Sequence, residues 1–423
     1  MANPKNDGAC NDCGRVIVLK RKNGIWSQLG SEIEGDSATA GKTFFGLSIA
    51  LNSAGNVLAI GDHRDSAAGA EKGVVHIYEF NGTDWIRKGA TGKINPPDDG
   101  DTTPRWGLSV DLDSSGNTVV IGSNTHDSKG RFAVYEYDAP NWNKKGDSKS
   151  GGSNNDFYGH DVSINADGNM ILIGQPRYDT DQGRTYAYKY NEGDNEWKYW
   201  AYDCVLCETT NNRRSGWSVA LNTSGNTAAN GAPHEYTGGQ KGRVTVWKQI
   251  QKYVSGDLLP TWTKIGNDIV GELNNGRFGW SVDLNAKGNI VAIGAPNNDQ
   301  IGGNDPGMVR VYELISDNSR DPFKVSIVDS GTYDTTISYP GSSTLNQGDI
   351  PITPTITESG GTFTVTPSYS SIQYPGQWGP TGAYYLSIDP TTGVVSPSVS
   401  LAGTYSITSV SYTHLTLPTI LLV

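Results

Sequence analysis

One line of sequence recurs five times, and that recurrence leaves very few architectures open. It reads FFGLSIALNSAGNVLAIGD from Phe44, RWGLSVDLDSSGNTVVIGS from Arg105, FYGHDVSINADGNMILIGQ from Phe157, RSGWSVALNTSGNTAANGA from Arg214 and RFGWSVDLNAKGNIVAIGA from Arg277. The aligned glycines, Gly46, Gly107, Gly159, Gly216 and Gly279, stand 61, 52, 57 and 63 residues apart. A second line follows each copy. A glycine opens an alternating stretch (GVVHIYEF from Gly73, GRFAVYEY from Gly130, GRTYAYKY from Gly183, GRVTVWKQ from Gly242, GMVRVYEL from Gly307), and in four copies a tryptophan follows, at Trp85, Trp142, Trp197 and Trp262. Residues 14–30, GRVIVLKRKNGIWSQLG, repeat this second half alone.

Each unit therefore holds four short strands, lettered A (GLSIAL), B (NVLAIG), C (VVHIYEF) and D (DWIRKG). An Asn-x-x-Gly-Asn type turn joins A to B, and Gly116, Gly168, Gly225 and Gly288 supply positive φ there. Strand B is nearly all apolar and is expected to be buried on both faces, whereas C alternates and should keep one face wet. One such sheet cannot bury both of its faces alone. Tandem four-stranded sheets packed face to face around an axis solve that problem, so the fold class is all-β with a β-propeller. Five A–B pairs and six C strands give about six blades, with five or seven as alternatives.

The composition agrees. Glycine is abundant at 53 residues, charged residues are only 18%, and no sustained heptad runs through the chain. The net charge of −11 argues against a general nucleic-acid binder. No apolar run is long enough to span a membrane, and the polar start carries no apolar signal core. No cofactor is implied. Sequons at Asn81 and Asn222 point mildly to the cell surface or exterior.

The line F-G-x-S-V…G-N-x-x-A-I-G-A-P resembles the FG-GAP repeat of integrin-α-type propellers over about residues 14–316, with the full G-A-P kept at Gly231–Pro233 and Gly294–Pro296. That resemblance implies an extracellular adhesion or recognition module. Calcium-binding members carry an acidic Asp-x-Asp-x-Asp-Gly loop between A and B. Here only Asp113 and Asp167 supply a carboxylate, one per turn, so no metal site is carried over.

The blade pattern ends near Ile315. Residues 319–410 turn rich in Ser, Thr, Pro and Gly with alternating apolar positions, which reads as a β-sandwich; LSIDPTTGVVSPSVSLAGTYSIT resembles Ig-like modules found beside surface repeats. Residues 411–423 fit neither pattern and resemble translated linker sequence or an apolar final strand. Residues 1–13 form an N-terminal segment. Cys10, Cys13, Cys204 and Cys207 form two C-x-x-C pairs, read as local disulfides or plain thiols, with one four-thiolate metal site as the alternative.

The A–B turns are short and uniform, while the B–C loops vary, and variable loops on a fixed scaffold are where binding evolves. They carry His63, Arg64, Asp65, His126, Asp127, Arg177, Tyr178, Asp179, His234, Glu235, Tyr236, Asn298 and Asp299 towards the face shared with the D–A loops. The functional expectation is a polar rim for a protein or carbohydrate ligand; against it, Asp127, Asp179 and Asp299 share one repeat position and could simply cap turns. The repeated tryptophans are read as packing between blades rather than sugar stacking. No nucleophile elbow, zinc helix or phosphate loop is present, so the chain is read as a non-enzyme. The alternatives are a self-assembling component of a surface layer or filament, and a propeller glycosidase built around Arg177, Tyr178 and Glu235.

Overall fold

A computed structural model describes residues 2–3, 14–35, 44–65, 72–98, 100–101, 104–200, 214–234, 240–254, 257–297 and 307–314, and beyond these only short strands. Cys10, Cys13, Cys204, Cys207, Glu235, Tyr236, Asn298 and Asp299 lie outside the described residues, as does the tail 411–423. The chain divides into two units, residues 1–324 and 325–423. In the second, Thr362–Pro367 pairs with Tyr405–Val410 and Leu386–Ile388 with Val395–Pro397.

The first unit is a β-propeller of five four-stranded blades, each an antiparallel A-B-C-D sheet. In blade 1 the strands are Ser48–Leu51, Val57–Asp62, Val74–Phe80 and Trp85–Arg87. Blade 2 comprises Ser109–Leu112, Thr118–Ser123, Arg131–Asp138 and Asn141–Lys144. Blade 3 has Val162–Ile164, Met170–Gln175, Arg184–Asn191 and Glu196–Tyr199. Blade 4 has Ser218–Leu221, Thr227–Ala232, Arg243–Val254 and Asp257–Val270. Blade 5 has Ser281–Leu284, Ile290–Ala295, Met308–Leu314 and Phe323–Ser326. Of the blade numbers expected, about six with five or seven as alternatives, five is the one that forms. Residues 15–34 form only a part-blade, in which Arg15–Val16 pairs with Ile33–Glu34 and Leu19–Lys22 with Ile25–Gln28.

The A strands of successive blades pack against one another and form the inner wall. Strand B is buried along its whole length in blades 1 to 4, as its apolar sequence requires. Strand C departs from the alternation read in its sequence. In blade 1 its first five residues are all buried, because both of its faces meet a sheet there; only its last two, Glu79 and Phe80, are half-buried.

The repeat's two glycines explain one another. A Cβ on Gly61, Gly122, Gly174 or Gly231 of strand B would overlap the carbonyl oxygen of Gly107, Gly159, Gly216 or Gly279 in the next blade. Blades approach this closely only where both residues are glycine. At the periphery the tryptophans join the blades, as expected. The indole N–H of Trp85, Trp142 and Trp197 donates to the carbonyls of Leu29, Lys88 and Lys145 in the preceding unit, at 2.8, 3.2 and 2.8 Å. Trp262 is likewise buried. On the A–B side, backbone bonds run from blade to blade: Ser114 N–H to the Ala166 carbonyl, Ala166 N–H to Thr223, and Thr223 N–H to Ala286.

Two carboxylates sit inside these joints. Asp111 accepts from the Ile164 N–H at 2.9 Å and the Ser163 hydroxyl at 3.1 Å. Asp161 accepts from the Ser109 hydroxyl and the Val219 N–H, each at 2.8 Å. Burial raises Asp111 to about 7 and Asp161 to about 6, and the hydrogen bonds only partly offset it. Among the described residues, no helix is long and apolar enough to cross a membrane.

Candidate functional site at the mouth of the inner wall

Strand A begins where strand B ends, since Ser48 pairs with Gly61 and Ser109 with Gly122. The residue after the repeat's first glycine therefore stands at the inner end of the B–C loops. It is Leu47, Leu108, His160, Trp217 or Trp280 in blades 1 to 5. In blades 3 to 5 these rings meet. His160 lies 4.4 Å from Trp217 between ring centroids, and Trp217 lies 4.8 Å from Trp280. His234, from the blade 4 B–C loop, joins them 5.0 Å from Trp217.

Arg214 and Arg277 stand beside these rings, and Arg177 shares Asp181 with Arg214; Arg64 and Arg105 lie by His63, and all five arginines are half-buried. Arg277 stacks 5.2 Å over Trp280, Arg177 4.9 Å over Phe157 and Arg64 4.7 Å over Phe44. Arg105, Phe157, Arg214 and Arg277 occupy one repeat position, two residues before the glycine, and all have positive φ between 51 and 59°. The fold holds that strained backbone in four successive blades. Asp181 bridges two of the arginines, with Arg177 Nε at 3.2 Å and Arg214 Nη2 at 3.1 Å. Among the described residues, no carboxylate pairs with Arg64, Arg105 or Arg277. The mouth is thus cationic on a chain of net charge −11.

The histidines here are neutral. Burial first, then Arg214 and His234, lowers His160 to about 4. Burial, Arg214 and Arg277 lower His234 to about 4, and burial, Arg64 and Arg105 do the same to His63. The Asn124 amide nitrogen lies 3.1 Å from His160 Nδ1, which accepts, so the proton of that ring sits on Nε2. His234 Nε2 is buried and meets no hydrogen-bond partner among the described residues.

The loop residues read from sequence divide accordingly. His234 joins the ring cluster and Arg177 is linked to it through Asp181, whereas His63 and Arg64 pack beside Phe44. Tyr178 turns under Arg184, whose guanidinium lies 3.0 Å from the ring centroid. Asp179, like Asp127, takes positive φ in its loop turn. His126 is fully buried between Asp101 and Asp127, at 3.3 and 3.4 Å, and Asp127 also faces Arg131. Asp65 is buried near Asp62 and His76, a grouping with metal-ligand chemistry. However, Arg87 donates to His76 Nδ1 at 2.9 Å, which places that ring's proton on Nε2 and leaves it no lone pair for a cation. The A–B turns are also committed internally: Asp113 accepts from the backbone N–H of Asn117 and Thr118 and from the Ser115 hydroxyl.

Sequence reasoning missed His160, Trp217, Trp280, Arg214 and Arg277, which it treated as scaffold. A signal was present. Between a fixed glycine and a nearly fixed serine the repeat reads Leu, Leu, His, Trp, Trp, and a variable position inside an invariant frame is not packing alone.

No protein-family model matches the sequence, and no curated protein matches it. Solved structures do. The chain is similar to the Pseudomonas aeruginosa periplasmic gluconolactonase (13% identity, TM-score 0.44, 93% of each chain). It is similar to a Bacteroides uniformis protein assigned as a 6-phosphogluconolactonase (10% identity, TM-score 0.43, 90% of this chain and 94% of that one). It is also similar to the β-propeller domain of the trilobed protease of Pyrococcus furiosus (10% identity, TM-score 0.35, 75% and 80%). These findings correct the expectation of a non-catalytic adhesion or recognition module: the matching propellers include lactonases, so the lack of a familiar enzyme motif did not exclude catalysis. At such distances the likeness assigns no activity, and the chemistry rests on this chain's own residues.

Proposed function

We propose that the chain is a propeller enzyme that hydrolyses an ester or lactone of an anionic, sugar-like substrate at the cationic mouth. One observation carries this reading: two imidazoles held neutral by burial and by arginines both contact Trp217. Trp217 and Trp280 offer a platform for the apolar face of a sugar ring. Arg277 and Arg214 meet its anionic group and the negative charge that develops on the carbonyl oxygen. His234 serves as general base towards water, and His160, with its proton on Nε2, as a hydrogen-bond donor. A base with a pKa of about 4 is available at neutral pH but weak. The arginines are part of what depresses it, so an anion that neutralises them raises it. Substrate binding thereby strengthens the base in the complex alone. A glycosidase built on Arg177, Tyr178 and Glu235 fits less well, because Tyr178 is stacked with Arg184 and Arg177 is paired with Asp181. We also assign the repeat to the FG-GAP type, on the contact between its first glycine and the G-A-P glycine of the preceding blade.

The experiment is a screen of uronate and aldonate lactones and esters, followed by pH profiles on any that turn over. The expected acid limb lies near pH 4 in kcat/KM, which reports the free enzyme, and at higher pH in kcat, which reports the complex. His234→Gln should lower kcat by about 100-fold or more. The proposal fails if no such substrate turns over and the His234 and His160 proton resonances titrate identically with and without glucuronate.

A further inference from the structure

The blade-to-blade interface has a fixed pattern, and at the two ends of the five-blade array it is left half-made. On strand A, the residues equivalent to Val110 and Leu112 pack on the preceding blade, and both are 6% exposed. In blade 1 the same positions are Ile49 and Leu51, exposed by 40% and 47%. At the other end, Val309 of blade 5 is 51% exposed, whereas Val75, Phe132 and Val244 at its position are fully buried by the next blade. Asp283 of blade 5 is exposed, while its equivalent Asp111 is held by Ser163 and Ile164 of the following strand A. Gly294 keeps the glycine that elsewhere seats the next blade's carbonyl, yet among the described residues the atoms nearest it belong to Ser281 of its own blade.

The part-blade between these ends has strands of C and D type. Its Val16, Val18 and Ile33 pack with Phe45, Leu58, Ile60, Tyr78 and Trp85, covering the outer half of blade 1. In complete blades strand B pairs with C over six residues, as Thr118–Ser123 does. Here the corresponding ladder has two, Ala2 with Val16 and Asn3 with Arg15. Gly46 lies against Val16 and Ala2 much as Gly107 lies against Val75 and Gly61, which puts Ala2 at the end of a strand B position.

We infer that this surface is a docking site for one kind of partner, a two-stranded hairpin of the repeat's own A–B type, seated on the part-blade. Continuity with the four interfaces already made fixes the occupant's chemistry. Its B strand extends the ladder begun by Ala2–Asn3. Its A strand covers Ile49 and Leu51 with a Ser-x-Asp face, whose carboxylate accepts from the Leu51 N–H as Asp111 accepts from Ile164. Its opposite, apolar face covers Val309. Recognition of this kind is strand addition, in which main-chain bonds give affinity and alternate side chains give register.

The test uses the full chain and a synthetic peptide of residues 277–293, RFGWSVDLNAKGNIVAI, which ends before the Ala2 position. Saturable binding by fluorescence anisotropy and a rise in Tm of several degrees are expected. The Ile49→Asp/Leu51→Asp double variant should lose both effects, and an Asp283→Lys peptide should bind at least tenfold more weakly. A second arm fuses the same residues directly before Ala2; this fusion should melt higher than the parent chain. The inference is overturned if neither peptide nor fusion raises Tm, or if the chain is a dimer in solution whose dissociation by Ile49→Asp/Leu51→Asp shows that a second copy covers this face.

Discussion

Gly174→Ala isolates the contact on which the propeller's spacing depends. Gly174 lies one residue from the end of strand B of blade 3, opposite Thr185, and its φ lies outside the left-handed region, so alanine suits its backbone. What opposes the change is one atom: the added methyl would fall on the Gly216 carbonyl of blade 4. Relief needs a shift of about 1 Å between two sheets packed at crystal-like density, and overpacking of this sort costs about 1–3 kcal/mol. With a urea dependence of about 3 kcal/mol/M, the midpoint should fall by up to about 1 M. Gly294→Ala is the matched control. It makes the same chemical change at the same repeat position, but among the described residues its methyl meets the exposed, rotatable Ser281 hydroxyl and no backbone carbonyl of another blade. Urea titrations followed by tryptophan fluorescence should leave Gly294→Ala within about 0.5 kcal/mol of the parent. Equal midpoints for the two variants would refute the argument that these glycines are kept for the approach of the next blade.

Three further outcomes follow from the same geometry. Trp197→Phe removes the indole N–H that holds the Lys145 carbonyl and should cost about 1–3 kcal/mol in urea unfolding, while leaving the mouth residues in place. Asp111 and Asp161 have folded pKa values raised to about 7 and about 6, so the unfolded chain binds fewer protons above pH 4, and their contribution to stability falls as pH rises towards 7. His63, His160 and His234, lowered to about 4, act oppositely and add stability between pH 4 and 6.5; Asp111→Asn should therefore make stability climb more steeply with pH than in the parent chain, as read from urea midpoints at pH 4.5 and 7. Arg277→Ala should weaken binding of glucuronate at least tenfold and move the His234 titration upward in the free protein, since a cation that disfavours its protonation is gone.

The repeat by itself determined the blades. Its period, its fixed glycines and the apolar B strand place four strands in order, because a strand's burial is written in its own side chains. The tryptophans could be read as packing for the same reason: one ring at one place in every unit serves the contact that every unit makes. The turn from Asn52 to Asn56 was legible too, since its first asparagine closes it by accepting from the Asn56 and Val57 N–H groups, a bond local in sequence. The number of blades was not legible, because residues 14–30 match half a unit whether or not a whole blade forms there. The site was legible only in part. Arg177 and His234 drew attention as loop residues, but Trp217 and Arg277 sit inside the repeat line, and nothing local says that strand A forms the inner wall. Tertiary structure alone decided that Arg214 and Arg277 converge with two tryptophans and two histidines. Side chains more than 50 residues apart then set one another's charge, through burial and Coulomb forces that depend on distance in space and not along the chain.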